Sequence, residues 1–258
     1  AFTREVHYKE ARPAGPGFFE GLKIAFRNRA FVLVTVIYLL SWLSIQFVQN
    51  NLILYVRYWM GAEAQFGLLI LAVQFSSFVF VLIWTRVSQR QGKQRTYYIG
   101  MSVWIVVCVL LFFVQPGQMP LLFALAILAG AGVSIGYIIP WSMIPDVIEQ
   151  DELETGQRRE GVFYGFFVFM QKLGLSLGLA ISNFVLEATG YLNPVAGAAL
   201  PVQPPGVLMA LRVFVSFAPA LVLLISFLAV RAYPITRERH AALRAQLAQP
   251  RPGAASRG

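Results

Sequence analysis

One lysine lies where a charge is costly. Lys172 falls near the middle of the apolar segment from Gly161 to Leu186, too deep for its ammonium to reach either end easily. A charge near the centre of a bilayer costs about 2.5–3.5 kcal/mol on insertion scales, so such a lysine indicates a functional site. The alternative is a structural cation satisfied by a carboxylate or by carbonyls of a neighbouring segment. Because no other apolar segment holds an equally deep carboxylate, we expect any acidic partner in another polypeptide segment.

Aromatic and amide side chains recur at one-turn spacing in other apolar segments. They are Tyr38, Trp42, Gln46 and Gln49 in the first segment, Tyr137 and Trp141 in the fourth, and Gln171 beside Lys172. Side chains three or four residues apart share one face of a helix. Such a face can line an aqueous cavity, or it can serve helix packing or approach the lipid headgroups. We interpret these residues, with Lys172, as candidates for a substrate and cation cavity.

A dense group of charges follows the fourth apolar segment, in the stretch PDVIEQDELETGQRREG of residues 145–161. The candidates are Asp146, Asp151, Glu152, Arg158, Arg159 and Glu160. Acid–base catalysis would need a nucleophile, a phosphate-binding loop or metal ligands nearby, and the sequence shows none, so we do not expect an enzyme. We interpret the charges as ion pairs between helices that break and re-form during gating. The alternative is a solvated charged loop.

The elements that carry these residues are long apolar runs. The 258 residues are 57% hydrophobic and 13% charged, whereas soluble domains carry about a quarter charged residues. Apolar runs of about 18 residues or more are long enough to cross a bilayer. The sequence predicts an all-α membrane protein with six spans at about residues 31–56, 64–84, 97–114, 121–144, 161–186 and 207–230.

Glycines and prolines predict how these spans pack and bend. Pairs of glycines one turn apart favour close helix contact, namely Gly132/Gly136, Gly161/Gly165 and Gly174/Gly178. Pro140 and Pro145 bracket Trp141, which predicts that the fourth helix bends or opens near that end.

The basic residues predict the orientation. Lysine and arginine concentrate before the first span, in the second-to-third and fourth-to-fifth loops, and after the sixth span. This bias places that side and both termini in the cytoplasm of a cell whose plasma or inner membrane holds the protein. It also accounts for the net charge of +9, so we expect no nucleic-acid partner. Residues 1–30 are predicted to be a cytoplasmic linker with an interfacial amphipathic helix, or simply the polar start of the first span, and residues 232–258 a partly disordered tail.

Cysteine and histidine usage predicts no metal site in this chain. Cys108 is the single cysteine and lies in an apolar run, while His7 and His240 lie near opposite ends. We therefore expect no disulfide, no bound metal and no organic cofactor.

The stretch PWSMIPDVIEQDELETGQRREGVFYGFFVFMQKLG, residues 140–174, resembles the glycoside-pentoside-hexuronide:cation symporters, the melibiose-permease-like branch of the major facilitator superfamily. The resemblance continues more loosely over the second-to-third loop and Tyr233-Pro234. It implies the C-terminal six-helix half of a transporter, with an N-terminal six-helix half as partner. The fold it implies is two bundles around a midplane cavity, which work by alternating access with Na⁺ or H⁺ as coupling ion.

The resemblance also implies roles for single residues. Lys172 matches the lysine of the eleventh helix, which is associated with the cation and substrate site, so the acidic partners would belong to the N-terminal half. Tyr137 falls where sugar-carrying relatives present an aromatic residue. Gln89 stands where the family usually has an acidic residue, so no gating salt bridge is implied at that turn. The run from Phe166 to Phe169 is more apolar than a sugar-binding surface.

Three functions follow as hypotheses. The first is cation-coupled symport of a sugar or glycoside, with the bilayer and a small-molecule substrate as further partners. The second is transport of a lysophospholipid or another lipid-like substrate, which the phenylalanine-rich turn favours. The third is a scaffold or sensor that does not transport.

Overall fold

The computed structural model describes residues 18–236 and 238–239, and this part of the chain is helical without strands. The helices are α1 (Phe18–Arg27), α2 (Arg29–Leu54), α3 (Phe66–Gln91), α4 (Lys93–Phe113), α5 (Met119–Thr155), α6 (Glu160–Ala188), α7 (Pro205–Val215) and α8 (Phe217–Ala232). A π-helical turn, Tyr55–Trp59, extends α2, and a short 3₁₀ turn, Glu63–Gln65, precedes α3.

Six helical stretches of the described residues are long and apolar enough to cross a membrane. They are Arg29–Trp59, Glu63–Gln91, Lys93–Phe113, Met119–Thr155, Glu160–Ala188 and Pro205–Ala232. The predicted all-α fold with six transmembrane helices is thereby confirmed. The predicted linker is described only from Phe18 onward, where α1 forms, and most of the predicted tail lies outside the described residues.

Short turns join the helices at one end of the bundle. Gly92 alone separates α3 from α4, and its φ of +87° is a conformation that side chains with a Cβ rarely adopt. Gly156, with φ +71°, ends α5 in the same left-handed region. We call this end, which carries α1, Gly92 and Gly156, the basic end.

The fourth span differs from its prediction. Pro140 and Pro145 lie inside a helix that continues to Thr155, so it does not open there, and most of the predicted charged loop is helical. The reason is tertiary: Ile144, Val147 and Ile148 are at most 2% exposed. Burial of this apolar face stabilises the extension beyond the prolines.

The sixth span is also interrupted. α7 ends at Val215 and α8 begins at Phe217, with Ser216 between them at φ −128° and ψ −89°. Pro219 cannot donate a backbone hydrogen bond to Val215, which weakens the helix at this point. The Ser216 hydroxyl donates instead to the Arg212 carbonyl at 2.5 Å.

α2 and α5 form the centre of the bundle, where glycines permit close approach. A Cβ on Gly132 would lie 2.4 Å from the Trp104 Cβ of α4. A Cβ on Gly178 would lie 2.9 Å from the Gln46 Cβ of α2. Gly161 and Gly165, in contrast, have open space around them, so the predicted close contact at this pair is not made within the described part of the chain.

α3 and α6 flank the bundle on opposite sides, since α3 packs mainly on α5 and α6 mainly on α2. In the most apolar 18 residues of each helix, the buried share is only 11% in α3 and 28% in α6, against 67% in both α2 and α5. Large surfaces of the two flanking helices therefore remain available to lipid or to another protein segment.

Candidate functional site

The strongest cluster of predicted residues joins α2, α5 and α6 through aromatic rings. Tyr38 is fully buried, and its ring stacks on Phe167 of α6 with 4.2 Å between centroids. The Trp141 indole N–H of α5 donates to the Tyr38 hydroxyl at 2.8 Å. The Trp42 ring meets the Tyr137 ring edge-on at 4.7 Å. We call these five residues the aromatic cluster.

The aromatic cluster is only partly covered. Tyr137 and Trp141, one turn apart on α5, are each 38% exposed. The indole Nε1 of Trp42 is buried and has no hydrogen-bond partner among the described residues. A buried donor without a partner costs about 1–3 kcal/mol, so an acceptor that reached this N–H would be bound favourably.

The polar stripe predicted on α2 divides in the structure. Gln46 is 5% exposed and lies against Gly178 of α6. Gln49 is exposed and turns towards α3 and α5, where it lines a cavity together with Gln74. The amides therefore do not form one continuous surface with Tyr38 and Trp42, as the spacing had suggested.

That cavity lies between α2, α3, α4 and α5 and has a volume of about 270 Å³. Gln49, Gln74 and Trp104 are its only polar lining side chains, and the Trp104 N–H is already bonded to Ser44 at 3.0 Å. The remaining lining is aliphatic. The cavity begins about one helical turn from the aromatic cluster, since Val133 of its wall precedes Tyr137 by four residues.

Lys172 is separate from this arrangement. It is exposed on α6, on the face opposite Gly174 and Gly178, which are buried against α2. Its ammonium forms no salt bridge to any described residue. Gln171 is half-buried at the next position. The structure thus leaves Lys172 on a surface that other protein segments or water must cover.

The predicted charge pairs form at the basic end, between the end of α5 and the start of α6. Arg159 binds both carboxylate oxygens of Asp151, which is 4% exposed, at 2.7–3.0 Å. Arg158 pairs with Glu152 at 3.1 Å and Glu160 at 2.6 Å, and its side chain is 59% exposed. Exposed pairs stabilise by about 0–1 kcal/mol. The Asp151–Arg159 pair is therefore the one that can fix the α5–α6 connection.

Asp146 has a partner that sequence reasoning missed. The Lys93 ammonium donates to both Asp146 oxygens, at 2.6 and 2.7 Å, and to the Ser142 carbonyl at 2.6 Å. The turn with Gln89 in place of an acid thus still forms a salt bridge, because the acid comes from α5. Gln94 adds a bond to the Tyr233 carbonyl at 2.9 Å, which attaches the end of α8.

Arg212 of α7 binds the end of α4, at the end of the bundle opposite the basic end. Its guanidinium donates to the Phe112 carbonyl at 2.6 Å and lies 4.4 Å from the Trp59 ring centroid. The Tyr55 hydroxyl and Trp59 indole donate to the neighbouring carbonyls Leu111 and Val114. The last carbonyls of a helix have no partners within it, so these three side chains stabilise the end of α4.

Six membrane-crossing helices, a partly exposed aromatic cluster and a lysine without a salt bridge to any described residue are together typical of a multi-pass membrane protein. The chain matches the family model of the MFS/sugar transport protein over residues 1–237. It therefore belongs to this family of the major facilitator superfamily, whose members are transporters and not enzymes. The resemblance seen in residues 140–174 is confirmed.

Curated relatives agree with this membership. An uncharacterized symporter of Synechocystis sp. is 48% identical over 88% of this chain and 42% of its own length. The sodium-dependent lysophosphatidylcholine symporter 1 of Homo sapiens is 29% identical over 89% of this chain and 42% of its own. The sphingosine-1-phosphate transporter of Xenopus tropicalis is 26% identical over 86% and 42%. The chain thus spans less than half the length of these relatives.

Proposed function

We propose that this chain forms the C-terminal six-helix half of a symporter for a lipid-like, amphipathic substrate, with Na⁺ or H⁺ as coupling ion. The observation that carries the proposal is the aliphatic cavity next to the aromatic cluster. An apolar chain fits a cavity of about 270 Å³ with an almost wholly aliphatic lining. A more polar headgroup would lie at the aromatic cluster, where Tyr137 and Trp141 are each 38% exposed.

The relatives support this choice of substrate class. Two of them are named for lysophosphatidylcholine and sphingosine-1-phosphate. The hypothesis of a lipid-like substrate, which the sequence kept beside the sugar hypothesis, therefore becomes the leading one for this chain.

Filling the cavity tests the substrate class. Ala126 lines the cavity. Ala126→Leu should therefore reduce uptake of a fluorescent lysophospholipid severalfold in proteoliposomes that contain this chain together with its N-terminal half. Ala124 of the same helix is exposed and outside the lining, so Ala124→Leu is the matched control. Equal uptake by both variants would contradict the proposed role of the cavity.

Symport of a sugar or glycoside remains the second candidate, because two exposed aromatic rings, Tyr137 and Trp141, could stack on a sugar face. This function predicts that a glycoside accumulates only under a Na⁺ or H⁺ gradient. Glycoside flux without a gradient, or none at all, would exclude it.

Lys172 is proposed to take part in coupling. An ammonium within the membrane needs an anionic partner, and none of the described residues supplies one. We propose that carboxylates of the N-terminal half supply this partner. Lys172→Ala should abolish gradient-driven accumulation while Lys172→Arg retains part of it, and unchanged accumulation in Lys172→Ala would refute the role. Thiol labelling of Lys172→Cys would show whether water reaches the site, as a transporter requires and a packed scaffold does not.

The proposed orientation follows from charge. The basic end carries Lys23, Arg27, Arg90, Lys93 and Arg95, so we propose that it faces the cytoplasm of a cell with this protein in its plasma or inner membrane. Labelling of single cysteines from each side of intact cells tests this placement.

A further inference from the structure

The connection between α6 and α7 is apolar without being buried. From Ala188 to Leu211 the sequence contains no charged residue. Four large side chains of this connection are well exposed: Leu192 47%, Val195 70%, Leu200 54% and Val202 91%. Scattered exposed apolar residues are normal, but a contiguous exposed apolar group marks an interaction surface.

One side chain closes this connection into a defined loop. Gln203 is 4% exposed. Its amide oxygen accepts from the Leu192 N–H at 3.0 Å, and its amide nitrogen donates to the Leu192 carbonyl at 2.7 Å. The two ends of the segment 192–203 are thus clasped as in a compact Ω-loop. At its far side the Ala198 N–H bonds the Val195 carbonyl at 3.1 Å, and Gly197 has φ +81°. The far side of the loop is therefore held by a hydrogen bond of its own backbone.

Aromatic side chains mark the level at which this loop leaves the bundle. Tyr191, just before the clasp, meets the Tyr58 ring edge-on at 6.1 Å. Trp59 follows Tyr58 at the end of the π-helical turn of α2. Tyrosine and tryptophan at the ends of membrane spans favour the headgroup region. The loop therefore begins at the boundary between lipid and water, at the end of the bundle opposite the basic end.

We propose that the loop closed by Gln203 inserts its exposed apolar side chains, Val195, Leu200 and Val202, into the lipid leaflet at that end; we call these three residues the tip. An uncharged tip enters a leaflet without burying a charge, and the Gln203 clasp bonds the Leu192 N–H and C=O within the loop. The tip thereby anchors the α6–α7 connection to the membrane. This inference rests on the loop itself and is independent of the transported substrate.

The test uses an environment-sensitive NBD fluorophore on the transporter that contains this chain, in vesicles of neutral phosphatidylcholine. Cys108 is fully buried, so the unsubstituted chain is the labelling control once cysteines outside the chain are replaced. The probe is placed by Val202→Cys, and the matched control is Gln115→Cys in the exposed polar loop at the same end. We expect blue-shifted emission at position 202 and severalfold stronger quenching by lipid-borne spin labels than at position 115. The proposal would be overturned if an aqueous quencher acted on position 202 as strongly as on position 115. It would also be overturned if neither quencher reached position 202, because protein would then cover the tip.

The clasp gives a second, independent readout. Gln203→Met keeps the length of the side chain but removes both bonds to Leu192. We expect lipid quenching at position 202 to fall towards the control value in this background, while Gln115→Met leaves it unchanged. Unchanged lipid quenching in Gln203→Met would show that the clasp does not position the tip.

Discussion

The ion pair between Lys93 and Asp146 gives the sharpest test of how the basic end is held. Lys93→Met removes the ammonium but keeps most of the apolar stem, and it leaves Asp146 as a carboxylate that is only 5% exposed. Asp146→Asn removes the other charge, and the remaining ammonium, 29% exposed, can turn to water. The structure therefore predicts that the lysine substitution is the more damaging of the two.

The magnitude follows from the geometry. At 2.6 Å, two unit charges attract by about 6 kcal/mol if the effective dielectric constant is near 20. Desolvation offsets part of this attraction, and breaking one side of a buried pair typically costs about 3–5 kcal/mol. Because Lys93 is partly exposed, we expect Lys93→Met to lower the free energy of unfolding by about 2–4 kcal/mol, and Asp146→Asn by about half as much.

Unfolding of the detergent-solubilised transporter, followed by circular dichroism, measures both changes. Arg86→Met is the matched control, since Arg86 is exposed and its one hydrogen bond among the described residues is to the Leu82 carbonyl, at 3.3 Å. It should change stability by under about 0.5 kcal/mol. The double variant Lys93→Met/Asp146→Asn should be less destabilised than the sum of the single variants. Additive losses, or a larger loss in Asp146→Asn than in Lys93→Met, would refute this reasoning.

Two further substitutions have clear expectations. Gly132→Ala should lower the free energy of unfolding by about 1–3 kcal/mol, because its Cβ would lie 2.4 Å from that of Trp104. Gly165→Ala, in open space, is the control. Equal losses in the two variants would contradict the close approach of α4 and α5. Trp141→Phe removes the 2.8 Å bond to the Tyr38 hydroxyl. We expect it to raise the KM for transport, while the free energy of unfolding falls by only about 1 kcal/mol. An unchanged KM would argue against a substrate role for the aromatic cluster.

Local composition predicted the spans but not how they end. A long apolar run such as residues 31–56 strongly favours a membrane helix, and α2 covers nearly all of this run. The charged stretch after Pro145 resembled a loop because its helical extension depends on burial of Val147 and Ile148 by other helices. No local signal encodes such burial.

Pairings between distant segments were equally hidden. Lys93 and Asp146 are 53 residues apart and meet because α4 packs against α5. The one-turn spacing on α2 predicted one polar face, yet Gln46 packs on α6 whereas Gln49 lines the cavity beside α3 and α5. Spacing fixes a direction from the helix axis, whereas the neighbour in that direction is a property of the fold.

The two flanking helices make different demands on their surroundings. The exposed side of α3 bears Leu68, Leu71, Phe75 and Phe78, each at least 61% exposed, and acyl chains can cover all four. The exposed side of α6 mixes apolar residues with Lys172, Ser176 and Asn183. Lipid would leave that lysine without a partner at a cost of about 2.5–3.5 kcal/mol, whereas an acidic protein surface or a water-filled cavity would not. The exposed side of α6 that bears Lys172 is therefore covered at lower cost by an acidic protein surface or by water than by acyl chains.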